Sequence, residues 1–213
     1  MTEWFRRWVA DSLYAGSNPC PGSNPPSLWQ AKIMKALGIV GSPHKDGNTV
    51  YLLREVFKVL SGKFDVETVF LKDYVVKPCE GCCYCEENEK CVLEDDMEKL
   101  CLKLKEADVI ILSSPSYMGG VTSRLKTFME RTWYLRKGQL EGKIGTYIVV
   151  GRRRIGAAVN EIEEYLSRLR MAKVPGVLGY AFKKGEILED KEALAEAKRL
   201  GRQILRLCGK TEF

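Results

Sequence analysis

Strand-like and helix-like segments alternate along most of this 213-residue chain, and this alternation limits the folds open to it. From Lys35 onward, short apolar runs are followed by loops and then by stretches whose apolar residues recur at helical spacing. The expected strands are KALGIV, FDVETVFL, DVIILSS, KIGTYIVV and VPGVLGYAF, and the expected helices span 48–60, 94–106, 122–135, 157–170 and 191–207. Near-continuous apolar strands are typical of parallel sheets covered on both faces. We therefore predict an α/β fold, a doubly wound sheet of five parallel strands.

Residues 1–33 differ in composition from everything that follows them. They contain three of the four tryptophans and the turn-rich stretch AGSNPCPGSNPPS. Acidic residues and the lack of a continuous apolar core argue against a secretory signal. We predict an N-terminal extension over 1–33, helical or disordered, and a single domain over 34–213.

The charge and hydropathy of the chain exclude several classes of function. The net charge is +6, and the basic residues are scattered among acidic ones, which argues against a nucleic-acid groove. No apolar run reaches the length that a bilayer span requires. We expect a soluble, cytoplasmic protein with no nucleic-acid or membrane partner.

Five cysteines fall within thirteen residues, in the run CEGCCYCEENEKC. Three of them, Cys79, Cys82 and Cys85, are equally spaced, so that one tight loop can direct three thiolates to a common centre. Cys91 can return as a fourth ligand after a five-residue spacer. Iron–sulfur clusters are held by such cysteine loops, and this spacing is compatible with a 4Fe–4S cluster and with electron transfer.

Two other chemistries remain open for this run. Zinc also takes four cysteines, although it usually uses two separated CxxC pairs. The other possibility is disulfides or redox-active thiols, although disulfides are not expected in a chain without a secretory signal. Cys83 lies beside Cys82 and could replace it as a ligand, since spacing alone favours Cys82. Cys101 and Cys208 lie among leucines in helical stretches and are read as core residues.

The loop after the first strand has the composition of a phosphate-binding loop. Its sequence, GSPHKDGNT (41–49), offers the hydroxyls of Ser42 and Thr49, the amide of Asn48 and the N-terminus of the next helix. It lacks both GxxxxGK[ST] and GxGxxG, which argues against triphosphate hydrolysis and against a Rossmann dinucleotide site. The alternative is a plain turn with a helix cap. We place His44 near the phosphate and assign it no role as a base or metal ligand.

The loop after the third strand is suited to a planar ring. In SSPSYMGGVTSRLKTFMERT (113–132), Pro115 ends the strand, Tyr117 and Met118 offer a flat apolar surface, and Gly119 and Gly120 allow the backbone to approach closely. No Ser–His–Asp set or carboxylate pair suggests hydrolysis, so no catalytic side chain is assigned.

These two loops and the cysteine run together closely resemble the iron–sulfur flavoprotein family, which lies within the NADPH-dependent FMN reductase and flavodoxin-like group. The resemblance covers Met34 to Cys208. It implies a flavodoxin-like sheet of strand order 2-1-3-4-5, with a cluster loop, 78–92, after the second strand.

The resemblance also implies the cofactors and their residues. FMN would have its phosphate at Ser42, His44, Asn48 and Thr49, and its ring against Pro115, Ser116, Tyr117, Met118, Gly119 and Gly120. A 4Fe–4S cluster would be held by Cys79, Cys82, Cys85 and Cys91.

The function implied by the resemblance is that of an oxidoreductase. Electrons would pass from a one-electron donor such as ferredoxin to a small-molecule acceptor, because a flavin converts single-electron input to two-electron output. A homodimer or homotetramer would bring the cluster of one subunit near the flavin of another. The alternatives are an NAD(P)H-dependent FMN or quinone reductase with a zinc or empty cysteine loop, and a redox-sensing interaction protein.

Overall fold

The computed structural model describes residues 33–209, so the expectations for the N-terminal extension lie outside the described residues apart from Ile33. The strands are β1 Met34–Val40, β2 Phe64–Phe70, β3 Val109–Pro115, β4 Ile144–Gly151, β5 Ala172–Lys173 and β6 Val177–Tyr180. The α-helices are α1 Asn48–Leu60, α2 Tyr84–Asn88, α3 Met97–Glu106, α4 Ser123–Arg131, α5 Gly156–Arg168 and α6 Lys191–Leu207. Short 3₁₀ helices span Leu71–Asp73, Trp133–Lys137 and Glu186–Leu188.

The strands form one parallel sheet in the order β2-β1-β3-β4-β5, with β6 also paired to β4. This confirms the predicted flavodoxin-like order, and the cysteine run follows β2 as expected. Within the predicted fifth strand, 174–182, only β6 is a strand, and it is preceded by the two-residue strand β5 and by Val174, Pro175 and Gly176. Proline cannot donate to the strand ladder, and a Cβ on Gly176 would lie 2.1 Å from the carbonyl oxygen of Tyr147. The strand pairing with β4 therefore stops after Lys173 and resumes at Val177, after three intervening residues.

Both faces of the sheet are covered, as a doubly wound fold requires. Successive side chains of β3 point to opposite faces, so that Leu112 packs with α3, α4 and α5 while Ile111 packs with α1 and α6. Both residues are fully buried. Cys101 lies in the first of these cores, as predicted, and Cys208 packs partly buried against the second.

Two helix boundaries differ from the sequence expectation. The helix predicted from residue 94 begins at Met97, because the preceding aspartates use their side chains to hold other backbone groups. The helix predicted over 122–135 ends at Arg131, and the chain tightens into the 3₁₀ helix that follows. At its start, Thr122 accepts from the N–H of Leu125 (3.4 Å) and donates to the carbonyl of Gly41 (2.9 Å). Thr122 thereby ties the loop after β3 to the loop after β1.

Among the helices within residues 33–209, none combines the length and the hydropathy that a membrane span requires.

Candidate functional site

Four loops meet at the carboxyl edge of the sheet around a cavity of about 360 Å³. They follow β1, β3, β4 and β6, and this edge is where parallel α/β sheets bind their ligands. The cavity brings together seven of the predicted cofactor residues: Ser42, His44, Asn48, Thr49, Pro115, Ser116 and Tyr117. Three residues that sequence reasoning did not select, Arg152, Phe182 and Lys184, also line it.

The other three predicted ring residues, Met118, Gly119 and Gly120, do not line this cavity. Tyr117 and Gly120 exchange backbone hydrogen bonds of 3.0 and 3.1 Å, and Met118 and Gly119 between them both have positive φ. This is the geometry of a tight hairpin turn. The Met118 side chain is fully exposed at the tip of this turn.

The end of the cavity formed by the loop after β1 is suited to an anion. Helix α1 begins there with Gly47 as its N-cap and with no acidic residue in its first turn, so its free N–H groups carry a partial positive charge. Thr49 is buried, and its hydroxyl has no hydrogen-bond partner among the described residues. Buried polar groups are normally satisfied. An orphan hydroxyl at a helix N-terminus fits a phosphate ligand.

Asn48 has a structural role that its sequence position did not reveal. Its Nδ2 donates to the carbonyl of Lys183 (2.9 Å), and its Oδ1 accepts from the N–H of Gly185 (2.9 Å). Asn48 therefore fixes the loop after β6 against the loop after β1. Asn48 and Gly185 are 137 residues apart in the sequence, so no local pattern indicates their contact.

The mouth of the cavity is aromatic and basic. Tyr117 and Phe182 are each more than half exposed, and the guanidinium of Arg152 lies 5.3 Å from the centre of the Phe182 ring. Lys184 also lines the cavity and pairs with Asp46 of the loop after β1. Phe182 follows the last strand, and that position at the carboxyl edge is the signal that could have identified it.

The cysteine segment, residues 78–92, projects between β2 and α3 with its thiols at or near the surface. Cys79, Cys82 and Cys83 are exposed, while Cys85 and Cys91 are half-buried. Burial raises the pKa of the Cys85 thiol, and the nearby Cys91 and Cys79 side chains raise it further. Within residues 33–209, no three potential ligands already form a metal-binding geometry. The donor chemistry nevertheless suits iron, because the segment places five cysteines, the ligands that hold iron–sulfur clusters, within thirteen residues.

A buried ion pair closes the base of this segment. Arg131 and Asp95 have side chains only 1% exposed, and their two bonds measure 2.6 Å (Nη1 to Oδ2) and 3.2 Å (Nη2 to Oδ1). Arg131 also donates to the carbonyl of Lys77 (2.7 Å), and Asp95 accepts from the N–H groups of Lys77 and Met97. Both ends of the segment are thus held by one pair. The Nε–H of Arg131 is buried and has no acceptor in the described part of the chain.

A second anchor holds the middle of the segment. The Glu86 carboxylate accepts from the indole N–H of Trp133 (2.5 Å) and from Arg136 (2.8 Å), whose guanidinium stacks 4.3 Å from the Trp133 ring centre. The hydrogen bond from Trp133, and next that from Arg136, hold the pKa of Glu86 below its ordinary value. Helix α2 is therefore docked on the 3₁₀ helix that follows α4.

Below the segment lies a second cavity of about 520 Å³, whose wall includes Cys91, Cys101, Arg131 and Tyr134. Burial raises the pKa of Cys101 to about 11, so this thiol is protonated at neutral pH. Burial likewise raises the pKa of Tyr134, and its contact with Cys101 adds to the effect. Neither group is poised for acid–base chemistry.

A parallel sheet of this order, with a phosphate-suited cavity at its carboxyl edge, defines a flavodoxin-like protein. The family described as NADPH-dependent FMN reductase matches residues 34–184. An iron–sulfur flavoprotein of Methanocaldococcus jannaschii is 36% identical over 184 residues, which cover 80% of this chain and 95% of that protein. An iron–sulfur flavoprotein of Archaeoglobus fulgidus is 38% identical over 178 residues, covering 80% of this chain and 79% of that one.

Among solved structures, the NAD(P)H:quinone oxidoreductase of Methanothermobacter marburgensis has the same fold, with a TM-score of 0.63 and 14% identity over 81% of this chain and 96% of that one. This chain therefore belongs to the NADPH-dependent FMN reductase family, in its iron–sulfur flavoprotein branch.

The buried pair generates a prediction about stability and pH. Replacing Asp95 with Asn leaves Arg131 uncompensated and is expected to lower the free energy of unfolding at pH 7 by about 3–5 kcal/mol. Burial alone would raise the pKa of Asp95, but the hydrogen bonds from Arg131 and two backbone N–H groups outweigh it and hold that pKa below its ordinary 3.8. The stabilisation is therefore complete above about pH 4 and is lost as the pH falls through the lowered value.

Urea unfolding of the wild type and Asp95→Asn at pH 7, 4 and 3 measures this difference. The gap between the two proteins should shrink at pH 3. The control is Glu164→Gln, which breaks an exposed pair with Arg168 and should cost less than about 0.5 kcal/mol. An equal gap at pH 7 and pH 3 would contradict the assignment.

Proposed function

We propose that this protein is a flavoprotein carrying FMN and a 4Fe–4S cluster, which passes electrons between a one-electron donor such as ferredoxin and a two-electron acceptor. The observation that carries the proposal is a five-cysteine segment anchored by Arg131 and by Glu86 to a domain with an anion-suited flavodoxin cavity. Two relatives named as iron–sulfur flavoproteins support it.

For FMN, the chain offers a phosphate end and a ring end in one cavity. Ser42, Thr49 and the N–H groups that open α1 would hold the phosphate, while Pro115, Ser116 and Tyr117 would lie against the ring. Asn48 would act chiefly by keeping the loop after β6 in place. The bound flavin supplies one- or two-electron chemistry.

For the cluster, the proposed ligands are Cys79, Cys82, Cys85 and Cys91. Cys83 starts α2 with a left-handed backbone (φ 57°), and its thiol points to the carbonyl of Gly81 at 3.5 Å. This contact favours Cys82 as the ligand of the two. A cluster held in this way supplies one-electron transfer.

The proposed assembly is a homodimer or homotetramer whose interface includes the 78–92 segment. Its support is a set of exposed apolar side chains, Tyr117 and Phe182 at the cavity mouth and Met118 in the turn that follows Tyr117. Such patches usually mark an interface. A partner copy covering this mouth would exclude water from the flavin and shorten the path to a cluster.

A second candidate is direct reduction by NAD(P)H without an iron–sulfur cluster. The observation that favours it is the basic rim of the cavity, where Arg152 and Lys184 suit the phosphates of a pyridine nucleotide.

Composition distinguishes the two candidates. Protein purified anaerobically should contain about four iron, four sulfide and one FMN per chain, and reduced ferredoxin should bleach the absorption of both cofactors. Stoichiometric zinc without sulfide, together with rapid flavin reduction by NADPH, would decide for the second candidate. Cys83→Ser should retain the iron and Cys82→Ser should lose it, and the reverse result would exchange these two ligands.

The flavin site predicts an effect of one hydroxyl. Thr49→Val removes a hydrogen bond to a charged phosphate, worth about 1.5–3 kcal/mol, so FMN affinity should fall about ten- to a hundredfold. The apoprotein should be no less stable, because the buried hydroxyl has no partner to lose.

Thr146→Val is the matched control for this experiment. Thr146 is also buried with an unpartnered hydroxyl, but it lies in β4 away from the cavity lining. Its replacement should leave FMN affinity unchanged in an equilibrium fluorescence titration. Equal FMN affinities for both variants would contradict the proposed contact between Thr49 and the FMN phosphate.

The assembly proposal predicts a response to charge at the exposed turn. Light scattering of the full chain should give two or four times the chain mass, and Met118→Asp should shift the protein toward monomer by placing a charge in an apolar contact. Leu207→Asp changes an equally apolar exposed residue at the end of α6 and should leave the assembly intact. A monomeric wild type, or equal effects of both substitutions, would defeat this interface.

A further inference from the structure

The second cavity, below the cysteine segment, contains an unused donor on a buried cation. Arg131 lines this cavity of about 520 Å³ with its side chain only 1% exposed. Its Nη groups are engaged by Asp95 and by the carbonyl of Lys77. Its Nε is the guanidinium nitrogen that lacks a hydrogen-bond partner within residues 33–209.

An orphan donor on a buried guanidinium requires an explanation, because buried N–H groups in folded proteins are nearly always satisfied. The buried carboxylate of Asp95 holds this cation in place, and their bidentate contact fixes the plane of the guanidinium. Closing the base of the loop uses only the Nη groups of Arg131 and leaves its buried Nε–H without an acceptor in residues 33–209. The arrangement is that of a donor awaiting an acceptor.

One of the acceptors that line this cavity is the sulfur of Cys91. Cys91 lines the same wall and lies within interaction range of the Arg131 guanidinium. A protonated thiol is a weak acceptor, whereas a thiolate that ligates iron is a strong one. If Cys91 ligates iron, its sulfur would offer the buried Nε–H a strong acceptor.

We propose that Arg131 sets the reduction potential of the iron–sulfur centre by donating from its Nε–H to the sulfur of Cys91. This inference rests on the proposed function, since it requires the cluster. Arg131 is a positioning and potential-determining residue, and it does not itself react.

The physical basis is the charge that reduction adds. The step is the addition of one electron from the ferredoxin-like donor to the centre, and no bond forms or breaks. A fixed cation with an N–H···S hydrogen bond stabilises the more negative reduced state over the oxidised one, which raises the potential. Because Arg131 is shielded from solvent, salt screens this effect little.

The test uses a paired substitution that leaves no uncompensated buried charge. In the cofactor-loaded full chain, Arg131→Gln with Asp95→Asn removes the cation and its partner together. At a fixed electrode potential, the ratio of reduced to oxidised centre should fall at least tenfold, which corresponds to about 59 mV for a one-electron couple.

The matched control acts on the other anchor of the same segment. Arg136→Gln with Glu86→Gln also neutralises an ion pair that holds the loop, but Arg136 does not line the cavity. Its ratio should change less than threefold. A tenfold fall in both double variants would show that Arg131 only holds the loop, and an unchanged ratio in the Arg131 variant would overturn the proposal outright.

A measurement on the wild type keeps the proposal testable if the variants fail to hold the centre. Protein labelled with ¹⁵N-arginine and reduced should show a weak ¹⁵N coupling to the centre by pulsed electron paramagnetic resonance, and its absence would refute the contact. Wild type without iron and sulfide would instead refute the proposed function. A wild type that contains the centre but shows no arginine coupling would refute this inference alone.

Discussion

Burial of both faces of the parallel sheet is the constraint on which the rest of this structure depends. Successive residues of β3 alternate between two separate cores, so each face needs its own helices. Right-handed crossovers then bring the loops after β1, β3 and β4 to one edge. The flavin-suited cavity is a consequence of that topology: its walls are loops, but the sheet determines where they meet.

The cysteine segment is attached to this frame in a different way. It has almost no apolar residues to bury, and its position depends on polar contacts at its base and middle. Arg131 holds the two ends of the segment together by bonding to Asp95 and to the carbonyl of Lys77. Trp133 and Arg136 hold its middle by donating hydrogen bonds to the Glu86 carboxylate. Both anchors come from α4 and the 3₁₀ helix that follows it. One short stretch of chain thus organises the loop, while the thiols themselves remain available to a ligand.

The two candidate cofactor sites share this stretch through the loop after β3. That loop supplies the ring-facing residues Pro115 and Tyr117, is tied to the phosphate loop by Thr122, and continues into α4 and Arg131. The cysteine segment and the flavin-suited cavity are therefore connected through one continuous stretch of chain. In such an arrangement the protein contributes potentials and positions, and the cofactors contribute the chemistry.

Periodicity in the sequence was enough to predict the fold class and every long helix to within a few residues, whereas the strand order was implied by the family resemblance. Apolar spacing is a local property, and it survives in the sequence because each helix and strand must bury one or both faces. The same local patterns predict a phosphate-binding loop around Ser42 and Thr49. The cysteine spacing identified the metal-binding candidates.

Only the tertiary structure decided which polar groups meet. Asn48 is bound by a loop 135 to 139 residues away, Arg131 by an aspartate 36 residues earlier, and Glu86 by a tryptophan 47 residues later. The close approach of the Tyr147 carbonyl leaves room only for glycine at position 176, between β5 and β6. A polar side chain carries no record in its neighbours of the partner it will find, because hydrogen bonds and ion pairs are directional and act between surfaces that come together only when the chain folds.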